Sequence, residues 1–187
     1  MTIPVLWLSG ADAVGKSTVA WEIYDRVVEG GRAAAYVDTD YLGFCSSVPR
    51  EGSARLVAAN VRAMWPNFAA AGAECLVVAG VVVTAEHRAL FEAAIPDAAL
   101  TLVRLRARPE TQAQRILRRS QAEGLEADGG VTGLTEQHLR EYADQSARFS
   151  ALLDADDVAD LAVDTDDLTI PEVATRVLGG VGPAWAV

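Results

Sequence analysis

The sequence predicts an α/β fold: one open, parallel, five-stranded sheet with helices on both faces and a short lid. Three observations carry this. Strand-like apolar runs alternate with helix-length segments along the chain, the order expected of a parallel sheet. Cys75–Val83 is a continuous apolar run, typical of a strand buried on both faces. A glycine-bounded loop, Gly10 to Ser17, stands between the first apolar run and the first helical pattern.

The elements follow in order. Val5–Ser9 reads as the first strand, and the helix after the loop runs from about Gly15 to Glu29, where Gly30 and Gly31 stop it. Ala34–Asp38 is the second strand. A helical stretch from about Gly52 to Ala71 is crossed by Pro66, which is expected to kink or split it. The third strand takes the whole run Cys75–Val83. Thr84 is placed to cap the next helix, which Pro96 ends. Leu100–Leu105 is the fourth strand. Pro109 opens a helix reaching about Ala122. Gln121–Gly133 is rich in Gly, Glu and Asp and reads as the mobile part of a lid spanning about 115–133. Thr135–Leu153 is a long polar helix, Leu161–Val163 a fifth strand and Thr169–Val177 a last helix; the tail from Gly179 carries no clear element.

Composition bounds the partners. At 187 residues and 51% hydrophobic, the chain can bury one sizeable core, so a single domain over 1–187 is expected. A net charge of −10 argues against a general nucleic-acid or anionic-membrane surface. Cys45 and Cys75 have no zinc-site spacing and read as reduced thiols, which points to a cytoplasmic protein. The N-terminal apolar run lacks a basic flank and is too short for a signal peptide, and no stretch approaches the roughly 18 apolar residues of a membrane span.

The loop holds the most specific chemistry. Gly10, Ala11, Asp12, Ala13, Val14, Gly15, Lys16 and Ser17 fit G-x-x-x-x-G-K-[ST], a strand-to-helix turn that cradles phosphate. Its glycines let successive N–H groups point at phosphate oxygens, and the helix N-terminus adds its positive end. Lys16 can reach the β- and γ-phosphates, the Ser17 hydroxyl can ligate Mg²⁺, and Thr18 continues the site into the helix. ATP and Mg²⁺ are the implied cofactors; no Asn-Lys-x-Asp guanine signature occurs. Asp38-Thr39-Asp40 closes the second strand; if the strand continues, period-two geometry sends both carboxylates to one side, and otherwise the run makes a polar turn. One can serve Mg²⁺ and the other can take a proton from an attacking hydroxyl. Asp12 is a second candidate base. Arg115, Arg118 and Arg119 share a helix face beside the lid, where arginines can clamp transferring phosphoryl charge. Arg104, Arg106 and Arg108 alternate along the fourth strand. Tyr41, Phe44 and Trp65 are candidates to line an acceptor pocket, and His87 and Arg88 to contact a polar substrate. Trp21 reads as a packing residue of the first helix and His138 as exposed.

At these residues the chain resembles the P-loop small-molecule kinases: shikimate, gluconate and adenylylsulfate kinases and the chloramphenicol phosphotransferase group. The resemblance implies the P-loop NTPase fold and phosphorylation of a hydroxyl on a small polar metabolite or antibiotic. Asp38-Thr39-Asp40 is similar to the Asp-Thr-Asp of shikimate kinases, which implies Asp38 in the Mg²⁺ shell and Asp40 at the acceptor hydroxyl. The Arg-Pro-Glu-Thr run from Arg108, followed by Arg115, resembles the segment that lays an arginine over adenine, with Arg118 and Arg119 in the lid. Val163-Asp164-Thr165 resembles the loop bordering the adenine. The third strand ends in Val-Ala-Gly, with no acid at the Walker-B position. The shikimate-binding glycine segment and the Ile-Ser-Pro-Tyr run of adenylylsulfate kinases are missing. The expected catalytic set is therefore Lys16, Asp38, Asp40 and Arg119, with Tyr41, Phe44 and Arg88 on the acceptor side. A nucleotide or nucleoside kinase is the nearest alternative, and a regulatory P-loop ATPase the alternative of another class. The expected partner is a small molecule, and the chain is expected as a monomer or homodimer.

Overall fold

The computed structural model describes residues 2–49, 53–121, 134–156 and 158–186. Strand β1 (Ile3–Ser9) lies at the centre of the sheet, and every residue from Val5 to Ser9 is buried. A central strand is covered on both faces, so its apolar run needs no alternation. The other strands are β2 (Ala34–Asp38), β3 (Cys75–Ala79), β4 (Ala98–Arg106) and β5 (Leu161–Asp164). Their order is β2-β3-β1-β4-β5, and all pairs are parallel. Between strands run α1 (Lys16–Glu29), α2 (Ser53–Ala70), α3 (Ala85–Ala94), and the pair α4 (Pro109–Gln121) and α5 (Glu136–Ala155); α6 (Ile170–Gly180) follows β5.

The pleat divides the core into two layers. Leu6, Leu8, Val77, Ala79, Val103 and Leu105 face α1 and α6, while Val5, Trp7, Leu76, Val78 and Leu102 face α2 and α3. The β1-to-β2 connection crosses β3 in one direction, and the β3-to-β4 connection crosses β1 in the other. This reversal opens a crevice at the carboxyl ends of β1 and β3, where such sheets bind ligands.

Several expectations hold. Thr84 caps α3, its hydroxyl accepting from the His87 N–H at 3.2 Å. Thr135 caps α5 in the same way through His138 at 3.3 Å. Pro109 opens α4, and Thr169 with Glu172 forms a capping box at α6.

Others are corrected. Helix α2 is continuous through Pro66, because the carbonyl that Pro66 cannot serve belongs to Arg62 on the exposed side, where water can take it. Strand β3 ends at Ala79 rather than Val83, because β1 and β2 end beside it and leave residues 80–83 no ladder. That stretch is held from its flank: the Val82 N–H donates to Ser9 Oγ at 2.9 Å. The tail is not featureless. Pro183–Trp185 forms a short 3₁₀ turn that buries Trp185, with the Arg32 guanidinium 5.5 Å from its ring. Trp21 packs only partly: it is 51% exposed, against Tyr24 and Tyr36 at the open edge of β2. Trp65 belongs to the core layer under α2, not to an acceptor pocket. Most of the expected lid, residues 122–133, lies outside the described residues.

Gly80 explains the missing acid at the end of β3. A Cβ there would stand 1.8 Å from Thr39 Oγ1, and Thr39 is buried with its hydroxyl bonded to the Ala79 carbonyl. Gly80→Ala should cost about 1–3 kcal/mol by overpacking. Thr39→Ala in the same chain should restore much of that loss. Chemical denaturation of the two single variants and the double variant tests this coupling.

Candidate active site

The loop between β1 and α1 meets the crevice. Gly10 has no room for a side chain, because a Cβ would lie 2.5 Å from the Leu105 carbonyl oxygen. Gly15 takes a φ of 97° at the start of α1, a conformation glycine adopts without strain. Ala13 also has a positive φ, 61°, and is buried. It is held there from two sides: the Arg115 guanidinium donates to its carbonyl at 3.1 Å, and Ile116 and Leu139 pack on its methyl group. The first turn of α1 holds no acidic side chain, which leaves its positive end for an anion. Lys16 is 6% exposed and crosses the loop to donate to the Ala11 carbonyl at 3.1 Å.

Beside the loop lies a cavity of about 610 Å³, a size suited to a small organic ligand. Ala13, Val14, Gly15 and Thr18 form its floor, Arg115, Arg118 and Arg119 one wall, and Leu168–Pro171 the other. Thr165 lines it too, buried between Arg115 and the β4 end. Its hydroxyl accepts from Arg115 at 3.0 Å and donates to the Arg106 carbonyl at 3.0 Å. Burial lowers the Arg115 pKa below the ordinary arginine value. Asp164 is not among the lining residues; it pairs with Arg106 Nε at 2.8 Å on the exposed side.

On the other flank stand Asp38, the last residue of β2, and Asp40 in the turn after it. Asp38 accepts the Asp40 N–H on Oδ1 at 3.0 Å and the Tyr36 hydroxyl on Oδ2 at 3.4 Å. Asp40 sits at the exposed rim, yet its carboxyl is pushed above the usual carboxylate range. Lost solvation is the main cause; Lys16 and Arg119 oppose it, while Asp38 and Asp12 add to it. These groups therefore share one electrostatic site. Asp12 faces Tyr142 of α5, whose phenol is pushed up to about 12 by burial and by Asp12. Tyr41 and Phe44 are 66% and 79% exposed, with ring centroids 6.3 Å apart, on the loop next to Asp40.

Arg88 is not free for a substrate. Its guanidinium donates to the Val158 carbonyl at 2.7 Å and to Asp160 at 3.0 and 3.1 Å, and it pairs with Glu92. It clasps α3 to the chain entering β5. Arg104 is buried and donates to the Val82 carbonyl at 3.1 Å, and Arg108 pairs with Asp166 and Asp167. Sequence reasoning missed Tyr36, Tyr142, Ser146 and Gln112. Ser146 donates to the Asp12 carbonyl at 3.2 Å, and the fully buried Gln112 donates to Ser150 at 2.7 Å. Tyr36 had a usable signal: it stands two residues before Asp38, on the same strand face. The α5 residues had none, because a polar helix face looks the same whether it meets solvent or a loop.

For Mg²⁺ the donors suit: a Ser17 hydroxyl at the loop and an Asp38 carboxylate beside it, both hard oxygens. No group of three or more His, Cys, Asp or Glu is placed to hold a metal among the described residues. Mg²⁺ is commonly bound by one or two protein ligands with phosphate and water, so this donor set is sufficient. No helix among the described residues is long and apolar enough to cross a membrane.

No protein-family model matches the sequence, and no curated protein matches it. Solved structures do. An APS kinase of Mycobacterium tuberculosis, in complex with AMPPNP and APS, is 20% identical over 95% of this chain and 96% of its own, with a TM-score of 0.56. A sugar kinase from Janibacter is 18% identical over 100% and 99%, with a TM-score of 0.60. A gluconokinase from Sinorhizobium meliloti is 18% identical over 95% and 91%, with a TM-score of 0.55. The likeness shows the fold: an α/β P-loop NTPase fold of the kind these kinases have.

Arg115 joins the loop to Thr165. Arg115→Ala should lower stability by about 1.5–3 kcal/mol, the range for a hydrogen bond to a charged group. It should also weaken ADP binding, since the cavity loses a wall. Thermal unfolding and calorimetric titration with ADP check the two effects separately.

Proposed function

We propose that this chain is an ATP- and Mg²⁺-dependent phosphotransferase acting on a hydroxyl of a small polar molecule. The observation that carries the reading is the convergence of Lys16, Asp38 and Asp40 beside a phosphate-type loop with an adjoining cavity of about 610 Å³. The fold likeness to kinases supports it.

In this reading the adenine side of the nucleotide occupies the cavity under Arg115 and Thr165, and the phosphates lie over the loop toward Asp40. Lys16 leaves the Ala11 carbonyl for the phosphate oxygens and neutralises their charge. Ser17 and Asp38 would hold Mg²⁺, which would supply positive charge to the phosphates. Asp40 orients the acceptor hydroxyl and takes its proton as the oxygen–phosphorus bond forms and the bond to the leaving ADP breaks. Arg119, the cation across from Asp40, adds charge to the transferring group. Tyr41 and Phe44 offer the acceptor two exposed rings. Arg88 is withdrawn from the acceptor set, because its guanidinium is committed to Asp160 and Glu92.

Coupled ADP release, with a panel of polyols, sugars, amino alcohols, nucleosides and nucleoside monophosphates, tests the reading. Strong stimulation by one non-nucleotide compound is expected. Stimulation by nucleosides or monophosphates alone would make it a nucleotide or nucleoside kinase. Partner capture that depends on nucleotide, without stimulation, would make it a regulatory ATPase.

Lys16→Ala should lower kcat by roughly 10²–10³ without unfolding the chain, the range for removing a preorganised charge-stabilising donor. Steady-state kinetics beside a circular-dichroism melt checks this.

The carboxylates should divide. Asp38→Asn should raise the Mg²⁺ requirement and be partly rescued by excess metal. Asp40→Asn should keep nucleotide binding and lose roughly 10²–10⁴ in transfer. The raised pKa of Asp40 sets the pH sign: the base form is lost as pH falls through a value above the ordinary carboxylate range. The acidic limb of kcat/KM should therefore lie above that range and vanish in Asp40→Asn. If Asp12→Asn abolishes transfer while Asp40→Asn does not, the base is the loop carboxylate.

A further inference from the structure

A serine hydroxyl ligates a cation through an oxygen lone pair, so its proton must point at some other acceptor. In P-loop NTPases with an acid ending the third strand, that acid stands beside the metal. Here that strand runs into Gly80, and Thr39 fills the space where a side chain would go. Some other group has to orient the Ser17 hydroxyl.

Tyr36 is in position to do so. It lies on β2 two residues before Asp38, so both side chains leave the same face of the strand. Its hydroxyl is 3.4 Å from Asp38 Oδ2. Ser17 lies beside the same hydroxyl. The ring is fixed by Trp21 at 5.2 Å, edge-on, and by Tyr24 at 6.2 Å. Trp21 stands one helical turn beyond Ser17, so α1 carries both the candidate ligand and a wall that sets the phenol's angle.

We infer that Tyr36 is a positioning residue that replaces the missing third-strand acid: its oxygen accepts the Ser17 proton, and its own proton goes to Asp38 Oδ2. Both candidate ligands are thereby oriented by one phenol. The Ser17 lone pairs stay open, and the Asp38 carboxylate is pinned between the phenol on Oδ2 and the Asp40 N–H on Oδ1. Outer groups of this kind usually set metal affinity more than they set the fold. The inference rests on the Mg²⁺ reading of Ser17 and Asp38.

The test uses the full chain, AMP-PNP as nucleotide and Mg²⁺ as metal. Tyr36→Phe keeps the ring against Trp21 and Tyr24 and removes only the oxygen. Calorimetric titration with AMP-PNP, at a series of Mg²⁺ concentrations and in EDTA, gives metal-free affinity and Mg²⁺ requirement separately. The variant should bind AMP-PNP in EDTA as the parent does, and need on the order of 10-fold more Mg²⁺ for half-maximal tightening. Its thermal midpoint without ligand should match the parent. An unchanged Mg²⁺ requirement overturns the inference and leaves the kinase reading intact. A loss of metal-free affinity and thermal midpoint together also overturns it, by making Tyr36 a packing residue. A parent chain that binds AMP-PNP no better with Mg²⁺ than without overturns the metal reading beneath it.

Discussion

The site depends on how two carbonyls of the Gly10–Ser17 loop are held. Ser146 on α5 takes the Asp12 carbonyl, and Arg115 on α4 takes the Ala13 carbonyl. A peptide unit is planar, and its C=O and N–H point in opposite directions. Fixing those oxygens toward α4 and α5 therefore turns the following amides away from those helices. Ala13 is carried at a positive φ as part of this arrangement. Such a conformation lasts only where neighbours over-determine it. The packing of Ile116 and Leu139 on Ala13 supplies that, so the helical pair α4–α5 is a support of the loop as well as a cover for the sheet.

Electrostatics shape the rest. The chain is acidic overall, with a net charge of −10, and three of its carboxylates, Asp12, Asp38 and Asp40, act on one another at the loop. Lys16 and Arg119 offset them there. Lost solvation above all, with a smaller contribution from the neighbouring carboxylates, disfavours the charged form of Asp40. Asp12 and Asp38 are each accompanied by a tyrosine hydroxyl, Tyr142 and Tyr36. Other cations are withdrawn from the site by local partners: Arg88 by Asp160 and Glu92, Arg106 by Asp164, and Arg108 by Asp166 and Asp167. An arginine in this fold is available to a ligand only where no neighbouring carboxylate claims it first.

Much of the architecture is legible from local sequence alone. The helices begin at Thr84, Pro109, Thr135 and Thr169 or directly after them, because capping is a contact between residues three apart. The phosphate loop is legible for the same reason: its function is a property of eight consecutive residues. The length of β3 was not, because a strand ends where its neighbours end, and those neighbours lie about forty or seventy residues away. The tail was not, because burying Trp185 depends on a surface assembled from β2 and α1 flanks. Strand alternation does not relate Asp38 to Asp40: β2 ends at Asp38, and the Asp38 carboxylate takes the Asp40 N–H in the turn that follows, as the polar-turn alternative had it.

By itself, then, the sequence determined the alternating α/β order, the helix caps and the phosphate loop with Lys16 and Ser17. Each of these is a short-range pattern governed by backbone periodicity and hydrogen bonding within a few residues. Only the tertiary structure decided that Arg115 braces the loop, that Arg88 is spent on Asp160, that Thr39 denies β3 a terminal side chain, and that Tyr36 and Tyr142 attend the carboxylates. Those facts join residues far apart in the chain. A side chain's role there is set by which partner reaches it first, and sequence spacing carries no measure of that.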